Sequence, residues 1–117
     1  MLKINDLVTY YGNVRALKGI SLEVRSGEIV SMIGSNGAGK TTTINSIINM
    51  CKSRSGSKIF KGIDITNAPT HKIIEAGVSI CPEGREVFHG LTVEENLQLG
   101  AYTKKDKIKI SENFERV

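Results

Sequence analysis

The stretch from Gly34 to Thr41 reads Gly-Ser-Asn-Gly-Ala-Gly-Lys-Thr, and it decides the fold of this 117-residue chain. It matches the pattern G-x-x-x-x-G-K-[ST] at every position, which is the pattern of a phosphate-binding loop. Glycines allow successive backbone N–H groups to turn inward around an anion. In such a loop Lys40 reaches the terminal phosphates, and the hydroxyl of Thr41 is a ligand for Mg²⁺.

The residues on either side of this loop favour a strand before it and a helix after it. Residues 28–33, Glu-Ile-Val-Ser-Met-Ile, are mostly apolar and predict a strand with both faces buried. After the loop, Ile44, Ile47 and Ile48 share one face of a helix that is expected to end near Met50. Strand, glycine-rich loop and helix form the context that a phosphate-binding loop requires.

The N-terminal part of the chain predicts antiparallel strands. Residues 2–10 and residues 20–24 alternate apolar and polar side chains, with a turn at residues 11–13 between the two strands. Residues 58–65 predict two short strand pieces around Gly62.

The C-terminal part predicts three helices and one strand. Pro69 opens a short helix that Gly77 closes, and residues 78–81 predict a short buried strand. Thr92 and Glu95 form a capping box that starts a second helix. Residues 106–117 carry apolar side chains at helical spacing.

Length and charge predict one small soluble domain. The net charge of +4 is modest and spread along the chain, so a nucleic-acid partner is not required. Cys51 and Cys81 lack the spacing of a metal site and are expected to be reduced thiols. The sequence has neither an apolar run of about 18 residues nor a signal sequence at its start, so we expect a cytosolic protein.

Three further segments line up in order around the loop. Tyr11-Gly12 precedes residues 16–22, Asp64-Ile65 precedes the Pro69 helix, and residues 82–85 (Pro-Glu-Gly-Arg) precede Phe88 and residues 91–97. The ordered set resembles the N-terminal half of an ATP-binding-cassette (ABC) transporter ATPase over essentially the whole chain. The resemblance implies an α/β P-loop NTPase fold of the ABC ATPase type, with an antiparallel β layer and a partial parallel core. It also implies ATP and Mg²⁺ as ligands.

The resemblance assigns roles to single residues. Tyr11 matches the aromatic residue that stacks on adenine, with a structural role at the strand end as the alternative, whereas Tyr10 is expected to be structural. The residues expected to bind the nucleotide are Tyr11, Gly34, Ser35, Asn36, Gly37, Ala38, Gly39, Lys40, Thr41 and Thr42. Those expected to act in catalysis are Lys40, Thr41 and Glu83, of which Thr41 and Glu83 would hold Mg²⁺.

Glu83 indicates a subgroup of the family, because most of the family has a glutamine at this position. The string from Pro82 to Phe88 looks most like the second ATPase subunit of branched-chain amino-acid importers, which commonly carries this glutamate. A carboxylate can ligate Mg²⁺ but donates no hydrogen bond unless it is protonated. A plain surface glutamate is the alternative.

The same resemblance implies partners and a location. Glu86, Phe88 and His89 match the region that contacts the membrane permease, and Phe88 as part of a small satellite core is the alternative. The implied partners are a paralogous ABC ATPase subunit, two permease subunits and, indirectly, an external solute-binding protein. The implied location is peripheral, on the cytoplasmic face of the inner membrane, without nucleic acid.

Other parts of the family pattern do not occur in this sequence. It contains no Leu-Ser-Gly-Gly string and no apolar strand that ends in Asp-Glu, so the signature loop, the Walker B carboxylates and the switch histidine are absent. Those regions position the attacking water and complete the Mg²⁺ shell. Residues 1–117 are therefore predicted to be the N-terminal part of one truncated nucleotide-binding domain, which binds ATP without turning it over.

Two further expectations complete this interpretation. The bare edges of the predicted strand at residues 29–33 should make the isolated chain self-associate or fold only partly. A compact monomer with rearranged strands is the alternative. The alternatives for the parent protein are an importer of urea, short amides or another solute, and an ABC ATPase that acts outside transport. A degenerate chain that binds nothing is the third alternative.

Overall fold

The computed structural model describes residues 1–84 and 86–117, and it divides them into two units. The first unit covers Met1–Val78 and the second covers Ser79–Val117. The strands are β1 (Leu2–Tyr11), β2 (Val14–Val24), β3 (Ser53–Phe60) and β4 (Ile63–Asp64). The helices are α1 (Lys40–Ile47), α2 (Thr70–Glu75), α3 (Val93–Gly100) and α4 (Lys107–Glu115).

The strands of the first unit form one antiparallel sheet in the order β2-β1-β3-β4. The turn between β1 and β2 consists of Gly12 and Asn13, and Gly12 has a positive φ of 56°. Lys61 and Gly62 make the turn between β3 and β4. Both hairpins lie where the sequence predicts them, so the antiparallel layer is confirmed.

A β-bulge interrupts β1 near Asp6. The pairing of β1 shifts register after Ile4 with respect to β2 and after Asn5 with respect to β3, and Asp6 has a φ of 45°. Gly56 of β3 lies against this bulge with a φ of 99°. A Cβ atom on Gly56 would lie 2.6 Å from the carbonyl oxygens of Asn5 and Asp6. The bulge therefore requires glycine at position 56.

The apolar core of the first unit contains a cluster on the sheet and also the buried residues Ile48, Phe60, Ile65 and Ile73. The cluster on the sheet is the better defined part. Ile4, Leu7 and Leu17 form its buried centre. Partly buried apolar residues pack around that centre, and they are Leu2, Ile20, Leu22 and Ile47.

The predicted parallel core is not formed by the described residues. Residues 28–33 and residues 78–81 have no strand assignment, and Ile29 and Ile33 are 94% and 95% exposed. The prediction of a strand with two buried faces at residues 28–33 is therefore wrong for this structure. A parallel strand pairs with a neighbour that is reached by a long crossover connection, and none of the described strands pairs with this segment.

Helix α1 also differs from its prediction. It ends at Ile47 rather than near Met50, because Asn49 adopts a left-handed conformation with a φ of 61°. Its buried residues are Thr43 and Ser46, whereas Ile44 is 45% exposed. The apolar face predicted for this helix is therefore only partly buried at Ile44.

The other helix signals in the sequence are confirmed. Gly77 ends α2 with a φ of 110°, and its N–H donates to the carbonyl of Ile74 at 3.0 Å. In the second unit, Thr92 and Glu95 form both hydrogen bonds of the capping box that starts α3. The last helix, α4, begins after Asp106, whose carboxylate accepts from the N–H groups of Ile108 and Lys109.

Candidate nucleotide-binding site

The loop from Gly34 to Thr41 leads directly into α1. Gly37 and Gly39 have positive φ angles of 84° and 91°, a conformation that other residues rarely adopt. The N–H of Ala38 donates to the carbonyl of Ser35 at 3.1 Å and closes a turn within the loop. The backbone thus makes the left-handed turns that the glycine spacing predicts.

Lys40 is the first residue of α1, and its side chain folds back over the loop. The ammonium donates to the carbonyl of Gly34 at 2.5 Å and to that of Ser35 at 2.7 Å. All residues in the first turn of α1 are among those that the structure describes, and none of them is acidic. The loop, the positive end of the helix and the Lys40 ammonium therefore form a positively charged surface suited to phosphate.

Gly39, at the end of the loop, is hydrogen-bonded to α1 and lies close to β2. Thr43 donates to the carbonyl of Gly39 from both its N–H and its hydroxyl, each at 2.8 Å. A Cβ atom on Gly39 would lie 2.9 Å from Cδ2 of Leu17 and 3.1 Å from the carbonyl oxygen of Ala16. Position 39 therefore requires glycine for two reasons: its backbone conformation and its close approach to β2.

A buried polar network anchors the other end of α1, and the sequence analysis missed it. The hydroxyls of Thr9 and Ser46 lie 3.0 Å apart, and both residues are fully buried. The ammonium of Lys58 donates to the carbonyl of Ser46 at 2.5 Å and to the side-chain oxygen of Asn49. Burial lowers the pKa of Lys58 to about 8. Helix α1 is thereby joined to β1 and β3 by hydrogen bonds that are shielded from water.

The two-residue alternation of side chains along a strand could have indicated that Lys58 is buried. Lys58 and Phe60 are two residues apart in β3, so their side chains lie on the same face of the sheet. Phe60 is buried, and this places Lys58 on the buried face as well.

Tyr11 lies at the end of β1 and is 51% exposed. Its hydroxyl lies 2.8 Å from the sulfur of Cys51, which follows α1. The hydrogen bond with Cys51 raises the pKa of Tyr11, and a weaker interaction with the Thr42 hydroxyl acts in the opposite direction. The structure thus brings Tyr11 next to the first turn of α1. Tyr10 stacks under the guanidinium of Arg54 at 4.4 Å, a contact that fits its expected structural role.

Thr41 and Thr42 differ in exposure at the start of α1. Thr41 is exposed, whereas Thr42 is half-buried. An exposed hydroxyl beside the loop is chemically suited to a hard cation such as Mg²⁺. Within residues 1–84 and 86–117, no group of three or more His, Cys, Asp and Glu side chains is placed to hold a metal ion.

The remaining predicted site residues belong to the second unit. Glu83 lies in an exposed turn with Gly84, whose φ is 87°. Glu86, Phe88 and His89 are all exposed, and Phe88 is 63% exposed. Phe88 is therefore no part of a buried satellite core.

Asn96 holds the segment that carries Phe88, a role that the sequence analysis missed. Its side-chain oxygen accepts from the N–H of Phe88 at 2.9 Å. Its side-chain nitrogen donates to the carbonyls of Phe88, Leu91 and Thr92 at 3.1, 3.3 and 2.9 Å. One amide side chain thus fixes the backbone conformation from which the Phe88 ring projects.

The comparison with protein families decides the identity of this chain. The family model described as ABC transporter matches residues 17–117. The chain belongs to the ABC transporter family. The resemblance found in the sequence is thereby confirmed.

Three curated relatives of this ABC chain illustrate its similarity. The high-affinity branched-chain amino acid transport ATP-binding protein BraG of Pseudomonas aeruginosa is 41% identical over 111 residues, which are 94% of this chain and 48% of BraG. The probable branched-chain amino acid transport ATP-binding protein LivF of Archaeoglobus fulgidus is 34% identical over 93% of this chain and 47% of LivF. The lipopolysaccharide export system ATP-binding protein LptB of Haemophilus influenzae is also 34% identical, over 91% of this chain and 44% of LptB.

Solved structures agree with these relatives. The ATP-binding subunit of an ABC transporter is 30% identical to this chain, with a TM-score of 0.81 over 92% of this chain and 45% of that one. A bacterial ABC transporter cassette described as dimeric is 26% identical, with a TM-score of 0.79 over 91% of this chain and 49% of the cassette. The α/β fold of the ABC ATPase type is therefore confirmed.

The matches cover most of this chain but only part of each relative. The ABC chain spans about half the length of the curated relatives it matches. In the part of the chain that the structure describes, no helix is both long and apolar enough to cross a membrane.

Proposed function

We propose that this ABC chain binds ATP and ADP together with Mg²⁺ at the loop from Gly34 to Thr41. The observation that carries the proposal is the loop geometry, in which Gly37 and Gly39 turn the backbone into the start of α1. The Lys40 ammonium lies over that loop, so its charge is available where the phosphates would bind.

Each residue of the site has a distinct task in this proposal. The backbone N–H groups of residues 36–42 donate to the phosphates, and Lys40 contacts the β- and γ-phosphates. Thr41 would hold Mg²⁺ through its hydroxyl, one of the oxygen ligands that this cation prefers. Glu83 is proposed as a second Mg²⁺ ligand on the family resemblance alone. The bound cation would neutralise charge on the phosphates. Tyr11 stacks on adenine through its exposed ring.

For the whole protein, we propose that ATP hydrolysis powers import of branched-chain amino acids. The support is the 41% identity to BraG, together with the match to LivF. The match to LptB favours a second candidate, an ATP-binding subunit for another transported substrate. Import of urea or short amides, and an ABC ATPase acting outside transport, are further alternatives.

We also propose that residues 1–117 are the N-terminal part of one nucleotide-binding domain. The sequence lacks the Leu-Ser-Gly-Gly string and the Asp-Glu pair of the Walker B strand, so the chain by itself would bind ATP without steady-state turnover. A purified sample that hydrolyses ATP near about 1 s⁻¹, and that loses this activity on Lys40→Ala, would contradict the proposal.

The proposed partners are a paralogous ABC ATPase and two permease subunits at the cytoplasmic face of the membrane, with an external solute-binding protein acting indirectly. The dimeric cassette among the similar structures supports pairing of ATPase subunits. Glu86, Phe88 and His89 would contact a permease, because all three are exposed and Asn96 fixes the Phe88 segment.

A titration with ATP tests the nucleotide site. Lys40→Ala should weaken Mg²⁺-ATP binding by about tenfold or more, because it removes a charge-assisted contact to phosphate. Lys3→Ala is the matched control, since Lys3 is an exposed lysine of β1 and should be replaceable without effect. Equal ATP affinity of Lys40→Ala and the parent would show that the site is assigned wrongly.

Co-purification with the permease tests the docking surface in the full-length protein. Phe88→Asp should abolish retention of the ATPase on its permease. Ile108→Asp is the matched control, because Ile108 is 73% exposed in α4 of the same unit. Unchanged retention of Phe88→Asp would remove Phe88 from the proposed contact.

A further inference from the structure

Cys51 connects the end of α1 to the ring of Tyr11. The N–H of Cys51 donates to the carbonyl of Asn45 in α1 at 3.2 Å, and the preceding N–H of Met50 donates to the same carbonyl at 2.9 Å. These two bonds fix the position of Cys51 relative to the helix that begins at the phosphate-binding loop. The Cys51 sulfur in turn lies 2.8 Å from the Tyr11 hydroxyl.

The Tyr11 ring is otherwise loosely placed for a residue that must stack on a base. It is the last residue of β1, and half of its surface is exposed. A side chain with that exposure would sample several rotamers unless its polar end were fixed. The Cys51 sulfur holds the hydroxyl on one side, and Thr42 of α1 interacts with the same hydroxyl.

We propose that Cys51 is a positioning residue for nucleotide binding, which holds the Tyr11 ring in the orientation that stacks on adenine. The inference rests on the proposed binding of ATP at Gly34–Thr41. Cys51 touches no phosphate in this scheme and acts only through Tyr11. The energetic benefit comes from ordering the ring before the base arrives, so that binding itself orders less of the protein.

In this proposal the phosphates and the adenine of ATP depend on different residues. The phosphates would bind to the loop and to Lys40, which do not contact Cys51, whereas adenine would bind to Tyr11. Loss of the Cys51 contact should therefore weaken ligands that contain adenine and leave inorganic tripolyphosphate unaffected. A general structural defect would weaken both ligands.

Calorimetric titration of four variants tests this separation with Mg²⁺-ATP and Mg²⁺-tripolyphosphate. Cys51→Ala should weaken ATP by about threefold to tenfold, the effect of one hydrogen bond. Cys51→Ser keeps a hydroxyl near the Tyr11 oxygen and should stay within about twofold of the parent. Tyr11→Phe should match Cys51→Ala, and the double variant should be no weaker than either single one. None of the four should change tripolyphosphate binding.

Cys81→Ala is the matched control, since Cys81 is the other free cysteine and is exposed. Unchanged ATP affinity of Cys51→Ala would overturn the proposal, and so would equal weakening of ATP and tripolyphosphate. Additive effects of Cys51→Ala and Tyr11→Phe would also overturn it. If the parent chain binds neither ligand, the proposed nucleotide site fails and this inference fails with it. If the parent binds both and Cys51→Ala matches it, only this inference fails.

Discussion

The antiparallel sheet and the segment at residues 28–33 are both rich in apolar residues, yet only the sheet is ordered into strands. In the sheet, β1 has hydrogen-bonded neighbours on both sides, and Ile4 and Leu7 are buried. In the segment, Ile29 and Ile33 are almost fully exposed. Two hairpins, β1-β2 and β3-β4, each supply their own neighbour after a two-residue turn, and the two hairpins then pair through β1 and β3. A strand of a parallel core depends on neighbours that are far away along the chain.

The largest expected effect is a difference in stability between two truncations to alanine, one in the sheet and one in residues 28–33. Leu7→Ala removes a fully buried side chain from the core centre and should lower the free energy of unfolding by about 2–5 kcal/mol. Ile33→Ala removes an exposed side chain and should change it by less than about 0.5 kcal/mol. Urea denaturation of both variants measures the difference. Equal destabilisation would mean that residues 28–33 are packed in solution.

The next effect concerns the polar link between the sheet and α1. Lys58 has a folded-state pKa of about 8, below its unfolded value of 10.5, because it is buried. Between these pH values the unfolded chain binds more protons than the folded chain, so the free energy of unfolding should rise with pH. The expected rise is between about 1 and 3 kcal/mol.

Urea denaturation of the parent and of Lys58→Met across pH 8 to 10.5 checks this rise. Lys58→Met has a side chain of similar length without a titrating group, so it should lack the rise. Parallel pH profiles for the two proteins would show that Lys58 is not buried as described.

A smaller effect is expected in the second unit, at the capping box of α3. Thr92→Ala should destabilise α3 by about 1 kcal/mol. Hydrogen bonds from the N–H and then the hydroxyl of Thr92 lower the pKa of Glu95, so this carboxylate stabilises α3 above its unfolded pKa. That stabilisation is lost as the pH falls through the lowered pKa of the folded state.

Amide hydrogen exchange in α3 is the measurement. Exchange should be faster in Thr92→Ala than in the parent, and Thr103→Ala is the control, because Thr103 lies outside both helices of the unit. Protection of α3 that is unaffected by Thr92→Ala would contradict the role of the capping box.

Substitutions in residues 28–33 should have the smallest effect on stability, but they should change the oligomeric state of the chain. We propose that the isolated chain self-associates through the exposed apolar residues of this segment. Replacing Ile29 and Ile33 together by lysine should leave the free energy of unfolding within about 0.5 kcal/mol and shift the chain toward the monomer. Light scattering at micromolar concentration decides between these states, and a parent chain that is already a monomer would rule out the proposal.

The sequence predicts the parts of this molecule whose causes are local. The hairpin turn at Gly12, the helix end at Gly77 and the capping box at Thr92 depend on residues within a few positions, and all three lie where they were predicted. The loop glycines belong to the same class, because their backbone angles follow from the motif itself.

The features that sequence reasoning missed depend on distant partners. Lys58 bonds the Ser46 carbonyl of α1 and the side chain of Asn49, which follows α1. Asn96 holds the Phe88 segment through backbone atoms that lie up to eight residues away. Cys51 contacts Tyr11 across 40 positions of sequence. The strand period could place Lys58 on the buried face of β3, but no composition or spacing rule identifies the bonding partners of these residues in a single sequence.

The contact of Lys40 with the carbonyls of Gly34 and Ser35 bears on the kinetics of nucleotide release. An ammonium that left a phosphate would find two acceptors in the same loop and would not pass through a state without partners. The barrier to dissociation would therefore include no full desolvation penalty for that charge. In the proposed site, phosphate binding would be an exchange of oxygen partners for Lys40, which would shorten the residence time of the nucleotide and leave the electrostatic attraction to the loop in place.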